Sequence, residues 1–182
     1  MAAQKEKILV TGGAGFIGSH FVDTALAYGY SVLTVDKLDY CGNLLNLEAA
    51  QKKKSHKFLQ ADVADSAAMQ QAFKAFKPHA VVHLAAQTHV DRSIDNPQSF
   101  IDNNVTATQR LLEVSREYWK SLRGEKKERF RFIYVSTDEV YGSLGPNDAP
   151  FTIESPYRPT SPYAASKAAG EKIALSYWRT FG

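Results

Sequence analysis

A single cysteine, Cys41, stands in the 182 residues, so no intrachain disulfide can form and the fold must rest on its core. No uninterrupted apolar stretch approaches the roughly 18 residues of a membrane span, and the sequence offers no candidate for one. Excess charge is also scarce: 22 Lys+Arg against 19 Asp+Glu leave a net +3, too little to expect a nucleic-acid partner. Part of the positive charge sits in two short runs, Lys52–Lys54 with Lys57, and Lys126, Lys127, Arg129 and Arg131, which read as solvated loops. The start, MAAQKEK, passes straight into ILVTGG without a secretory leader, so a cytoplasmic location is expected. No metal site is expected. His79, His83 and His89 lack clustered cysteines or acids and read as structural histidines, and Cys41 has no neighbouring histidine to make it a nucleophile. What is present, 44% hydrophobic and 23% charged residues, suits one globular domain with a sizeable core.

Short apolar runs alternate with helical patterns. KILVT (7–11), SVLTV (31–35), 57–61, AVVHL (80–84) and FRFIYV (130–135) predict five strands. Helices are predicted over 16–28, 66–77, about 97–119, and from Pro162 onward. Strands apolar on both faces and separated by helices predict a doubly wound parallel α/β sheet. Five of the seven prolines lie at Pro146, Pro150, Pro156, Pro159 and Pro162, marking a loop of about twenty residues, a length usual for binding segments. With no strand following the last helix, the chain reads as truncated. Trp119, Tyr118 and Trp178 are expected in core or interface.

Strand one leads into Thr11-Gly12-Gly13-Ala14-Gly15-Phe16-Ile17-Gly18. Glycines at this spacing allow a sharp turn, close approach of a diphosphate to the backbone, and tight packing of the next helix. The strand–turn–helix context turns a weak triplet into a dinucleotide-binding signature. Asp36 closes strand two, 18 residues after Gly18, where an acid accepts the ribose hydroxyls and disfavours a 2′-phosphate, giving NAD over NADP. Lys37 tempers that preference, and Asp62, ending strand three, is placed near the adenine.

Three further segments follow strand ends: Ala85-Ala86-Gln87-Thr88-His89-Val90-Asp91-Arg92-Ser93, Ser136-Thr137-Asp138-Glu139-Val140-Tyr141-Gly142, and Tyr163-Ala164-Ala165-Ser166-Lys167. A Tyr-x-x-x-Lys pair shares one helical face, and the ammonium favours phenolate, a base able to take a proton from an alcohol. Ser136-x-x-Glu139 also fits a helix capping box, but Gly142, Gly145 and Pro146 would break a helix within a turn or two. Adjacent acids beside a threonine hydroxyl suit proton transfer better.

On VTGGAGFIGSH (10–20), DKLDYCGN (36–43), HLAAQTHVDRSI (83–94), YVSTDEVYG (134–142) and SPYAASKAAGE (161–171), the chain resembles the extended short-chain dehydrogenase/reductase family and, within it, the dTDP-glucose 4,6-dehydratases. The glycine turn and Tyr-x-x-x-Lys are shared by the whole family; Thr-Asp-Glu before Val-Tyr-Gly is the specific part. The resemblance implies a Rossmann fold binding NAD over residues 1–182, with a C-terminal substrate domain missing, and a homodimer acting on a nucleotide diphosphate sugar, most naturally dTDP-glucose. It implies that Tyr163, supported by Lys167, deprotonates the carbon 4 hydroxyl, with Thr137 bonded to the same oxygen. Glu139 then takes the carbon 5 proton and Asp138 protonates the departing carbon 6 hydroxyl. Cofactor contacts are implied at Gly12, Gly15, Phe16, Ile17, Gly18, Asp36, Lys37, Asp62 and Val63. Leu84, Ala85, Ala86, Asn104, Ser136, Tyr163 and Lys167 complete that set, with Ser136, Ala85 and Ala86 on the nicotinamide side. His89, Asp91, Arg92 and Ser93, with Thr137, Asp138 and Glu139, are placed near the sugar. Asn103 and Ala107 depart from the family pattern of threonine and glycine. Two alternatives stay open: 4-epimerase or decarboxylase chemistry, and a non-catalytic or incomplete dinucleotide-binding domain.

Overall fold

The computed structural model describes residues 6–182, and the expectation about the extreme N-terminus concerns residues 1–5, outside the described residues. The chain divides into two compact units. One comprises the residues up to Ala85 together with Arg110–Val135, and the other comprises Ala86–Gln109 with Ser136–Gly182.

The first unit is built on the apolar runs. Strand β1 (Lys7–Thr11) leads through the glycine turn into helix α1 (Phe16–Ala27), then β2 (Ser31–Asp36). A 3₁₀ turn at Leu44–Leu47 and a short helix α2 (Glu48–Gln51) precede β3 (His56–Gln60), a region the sequence reading left without regular structure. Helix α3 (Ser66–Phe76) follows. Its N-cap Asp65 accepts from the amides of Ala67 and Ala68, and it ends where Lys77 adopts a left-handed conformation before Pro78. Strand β4 is Ala80–His83. All strands are parallel in the order β3-β2-β1-β4, with the strand at Arg131–Tyr134 beyond β4. Leu9, Val10, Val32, Val35 and Val81 are wholly buried, which is why these runs carry no polar alternation. Each such side chain stabilises the fold by about 1.5–3 kcal/mol. In register, Thr11 sits opposite both Val35 and His83, so the carboxyl ends of β1, β2 and β4 finish level. Connections leave β1 and β4 in opposite directions, making this edge the topological switch point where such sheets bind ligands.

The second unit contains α4 (Val90–Asp95), which the sequence reading did not predict, and α5 (Pro97–Phe100). The long helix expected over 97–119 exists but is not uniform. A π-helical segment at Ile101–Thr106 interrupts it before it resumes as α6 (Ala107–Ser121), passing into the first unit. In the first unit α7 (Glu125–Arg129) replaces the expected basic loop, its lysine carbonyl at 127 accepting from Trp119 Nε1 at 3.1 Å, and β5 (Arg131–Tyr134) is the strand beyond β4. After a 3₁₀ turn at Asp138–Tyr141, residues 142–161 hold no helix or strand, as the prolines predict. Helix α8 (Pro162–Phe181) starts at N-cap Ser161, whose hydroxyl oxygen accepts from Ala164 N at 3.0 Å. It packs on α4, α5, the π segment and the 138–141 turn.

Candidate active site

In the first unit, the glycine turn is fixed by steric necessity. Gly12 has φ +70, and a Cβ there would lie 2.6 Å from Ala85 N; one on Gly18 would lie 2.1 Å from the Gly12 carbonyl oxygen. Both positions therefore need glycine. Helix α1 opens at Gly15 with no side-chain cap among the described residues, so its first amides lack the usual partner, and Phe16 and Ile17 beside them are 79% and 66% exposed. Asp36 reaches back to the turn: one carboxylate oxygen accepts from Ala14 N at 3.0 Å and the other from Leu38 N at 2.8 Å. Lys37 pairs with Asp39 and Asp62, at 3.3 and 3.7 Å. Val63 is buried, while Leu84 and Ala85 are half-buried. His83 Nδ1 and the Thr11 hydroxyl lie 2.6 Å apart in the core, and His79 Nδ1 accepts from Lys7 N, so both rings carry the structural roles expected.

In the second unit, one buried stripe of α8 presents Tyr163, Ser166, Lys167 and Gly170. Tyr163 is 7% exposed, with Phe100 edge-on at 6.3 Å, and Lys167 is 4% exposed. Burial pushes the Lys167 ammonium down to about 8, opposed by the negative charge of Glu171. Asn104 explains the π segment. Its side-chain oxygen accepts from Gln87 N at 2.8 Å, and its amide nitrogen donates to the Gln87 carbonyl at 2.8 Å and to Ser166 Oγ at 2.9 Å. The extra residue of a π turn re-aims one side chain within an otherwise α-helical run. Here that side chain ties 87 to the residue next to Lys167. Asn103 donates to the Ser99 carbonyl and Ala107 is buried, so both departures from the family pattern are accommodated.

The Thr137-Asp138-Glu139 segment packs against α8 as a single 3₁₀ turn. Thr137 Oγ1 accepts from Glu139 N at 3.3 Å and donates toward Asp138 Oδ1 at 3.4 Å. This corrects the sequence argument against a cap. A cap exists, made by Thr137 rather than Ser136, and the turn ends at Gly142 (φ +111), as the glycine demands. Asp138 is exposed and Glu139 half-buried. Ser136 Oγ is buried without a hydrogen-bond partner among the described residues. Such an atom costs about 1–3 kcal/mol unless something else satisfies it.

The unit thus gathers Tyr163 and Lys167 on α8 with Asn104 on the π segment and Ser136, Thr137, Asp138 and Glu139 at the 138–141 turn; the segment and the turn both pack against α8. Of the segment after β4, Ala86 belongs to this unit and is half-buried. His89, Asp91 and Arg92 are exposed on α4 and its N-cap, whereas Ser93 is wholly buried and gives its hydroxyl to the Val90 carbonyl at 2.6 Å. The sequence reading missed Gln87, Ser166 and Glu171. The last was within reach, since extending Tyr163-x-x-x-Lys167 by one more turn lands on it. Among the described residues no three His, Cys, Asp or Glu side chains cluster as metal ligands, and no helix is long and apolar enough to cross a membrane.

Comparison with known proteins follows the same chain of residues. The GDP-mannose 4,6 dehydratase family profile matches residues 9–182. A probable dTDP-glucose 4,6-dehydratase of Sinorhizobium fredii is 48% identical over 176 residues, 97% of this chain and 50% of that one. A dTDP-glucose 4,6-dehydratase from Streptomyces venezuelae, solved with NAD bound, superposes with a TM-score of 0.85 at 40% identity, covering 97% of this chain and 52% of its own. A UDP-glucose 4-epimerase from Thermus thermophilus in complex with NAD reaches 0.82 at 35% identity over 97% and 52%. The chain spans about half the length of the curated relatives it matches.

Proposed function

The chain belongs to the GDP-mannose 4,6 dehydratase family, and from that premise we propose that it performs NAD-dependent dehydration of a nucleotide diphosphate hexose, with dTDP-glucose the first candidate. The observation that carries this reading is the packing of the Thr137-Asp138-Glu139 turn against the helix bearing Tyr163 and Lys167.

The residues fit the cofactor. A phosphate-sized anion suits an uncapped helix start preceded by glycines that have no room for a Cβ, and a buried serine hydroxyl without a protein partner suits a ligand contact. In the first unit Gly12, Gly15 and Gly18 would hold the diphosphate, with Phe16 and Ile17 beside it. Asp36 would hold the ribose, and Lys37, Asp62 and Val63 the adenine edge. When bound, NAD supplies a two-electron acceptor that later returns the same electrons to the sugar.

In the second unit the Tyr163 phenolate takes the proton of the carbon 4 hydroxyl as that carbon is oxidised to a ketone, and Lys167 holds the phenolate form. Thr137 donates to the same sugar oxygen. The ketone acidifies the hydrogen on carbon 5, and the Glu139 carboxylate removes it. Asp138, in its acid form, gives its proton to the carbon 6 hydroxyl, which leaves as water. Carbons 5 and 6 are left doubly bonded; the Glu139 carboxyl exchanges its proton with solvent, and reduction at carbon 6 with protonation of carbon 5 from Glu139 completes a 4-keto-6-deoxy sugar. Adjacent carboxyls divide acid and base work in a way that 4-epimerisation, which breaks no carbon–oxygen bond at carbon 6, does not require. His89, Asp91 and Arg92, exposed on α4, would meet the sugar. We also place the protein in the cytoplasm, which suits its exposed free Cys41, and as a homodimer. The exposed Leu175, Trp178 and Phe181 of α8 offer apolar surface for that contact.

Incubation with NAD and either dTDP-glucose or UDP-glucose tests the reading. A product lacking one water and carrying a methyl at carbon 6 is expected with dTDP-glucose; a 4-epimer of unchanged mass would contradict it. Asp36→Ala is expected to weaken NAD about tenfold or more, since hydrogen bonds to a charged group contribute about 1.5–3 kcal/mol. NADP should lose less, because the repulsion of its 2′-phosphate goes as well. Titration of both nucleotides checks this, and equal losses would undo the ribose assignment.

A further inference from the structure

One turn beyond Lys167 on α8, Glu171 accepts a hydrogen bond from the Tyr157 hydroxyl. Tyr157 lies in the irregular segment 142–161, which follows directly on the Thr137-Asp138-Glu139 turn. Its ring is covered by Lys172 Nζ, 3.4 Å from the centroid, and stands 5.3 Å from the ring of Tyr141, which in turn lies 5.5 Å from Phe151. Arg158 N donates to the Val140 carbonyl at 3.0 Å, and Gly142 leaves room for this return, because a Cβ there would meet the Arg158 carbonyl oxygen at 2.8 Å. The segment is therefore pinned at two places: to the 138–141 turn through Arg158, and to α8 through Tyr157 and Glu171.

We propose that Glu171 is a positioning residue for the Tyr163–Lys167 pair, anchoring segment 142–161 through Tyr157 and setting a carboxylate one helical turn from Lys167. The inference rests on the reading in which Tyr163 is the base and Lys167 its cation. Burial favours the neutral amine at Lys167, and Glu171 supplies an opposing charge from the same helix face. The elements packed on α8 bring further titratable groups: Asp91, Arg92 and Asp95 on α4, Asp102 on the π segment, and Asp138, Glu139 and Tyr141 on the turn. Glu171 raises the affinity of Lys167 for its proton. The Tyr157 pKa is shifted upward from that of an ordinary exposed phenol. Burial, the hydrogen bond to Glu171 and the charge of Glu171, then Tyr141, all hold it protonated, so it remains a donor through the working pH range.

The test is direct titration of Lys167 by NMR in protein labelled at the lysine ε-carbon, its signal identified by its loss in Lys167→Arg. The wild type should titrate near 8. Glu171→Gln, which keeps the shape and an acceptor for Tyr157, should lower the midpoint by about one pH unit, the low end of the shift expected for a nearby opposite charge. Glu171→Asp should restore most of it. Tyr157→Phe should leave the midpoint in place while speeding protease cleavage within 142–161. An unchanged midpoint in Glu171→Gln overturns the proposal, as does an equal fall in Tyr157→Phe, which would assign the effect to packing alone. Should Glu171→Gln not fold, Glu171→Ala carries the same expectation with the best helix-forming residue. The titration uses neither substrate nor NAD, so its failure leaves Tyr163 as the base. A fully active Tyr163→Phe would instead remove that role and leave the titration as it stands.

Discussion

Replacing Tyr163 by phenylalanine is expected to slow oxidation of the hexose by about 10²–10⁴, the usual loss when a positioned general base is removed. That corresponds to about 3–5 kcal/mol of transition-state stabilisation. The substitution deletes one oxygen and nothing else. The ring is buried against Phe100, and phenylalanine refills the same volume. The helix start is likewise untouched, because Ser161 caps it through Ala164 N and Ser166 bonds the backbone carbonyl of residue 163, not the phenol. With the thermal midpoint unchanged, a loss reports the missing proton acceptor. Rapid mixing with substrate under single-turnover conditions, followed through the absorbance of reduced nicotinamide, measures it, with the thermal midpoint as the folding control. A near-normal rate with an unchanged midpoint would move the base elsewhere.

Glu139→Gln separates the second proton transfer from the first. Oxidation at carbon 4 should continue, because Tyr163 and Lys167 are intact, while exchange of the carbon 5 hydrogen with solvent should fall by about 10²–10⁴. Glutamine preserves the local turn, whose bonds to residue 139 run through its backbone: the amide to Thr137 Oγ1 and the carbonyl to Gly142 N. The expected signature is accumulation of the reduced cofactor and the 4-keto hexose without release of water. Exchange at the wild-type rate would take the base role from Glu139. Loss of both steps together would instead mean that the turn positions the substrate as a whole.

Much of this was legible in the residues, for reasons that can be named. KILVT and SVLTV read as strands buried on both faces, and Pro162 announces a helix start by its ring geometry. The glycine turn was readable because a Cβ has nowhere to go at Gly12 or Gly18. The π segment was not readable. IDNNVT keeps the apolar spacing of an α-helix, and what inserts the extra residue is a tertiary demand, the reach of Asn104 to Gln87 and Ser166. At 138–141 the glycine argument correctly stopped the helix but overlooked that a single turn can be capped by Thr137 and still present two carboxyls. Charge alone marks the EKKER run as a loop; the carbonyl of Lys127 on the Trp119 indole is a contact no local pattern encodes. Glu171 falls between these cases, since its helical face was visible and its partner Tyr157, fourteen residues away across an irregular segment, was not.

On the proposed mechanism one hexose, within one turnover, is served by both proton-handling groups of the second unit. Turnover of dTDP-glucose carrying deuterium at carbon 4, run in ordinary water and again unlabelled in heavy water, addresses it directly. The predicted product keeps the carbon 4 label, moved to carbon 6 of the same molecule, and takes one solvent deuterium at carbon 5. A label that returns to carbon 4, or a carbon 5 hydrogen that never exchanges, would contradict it.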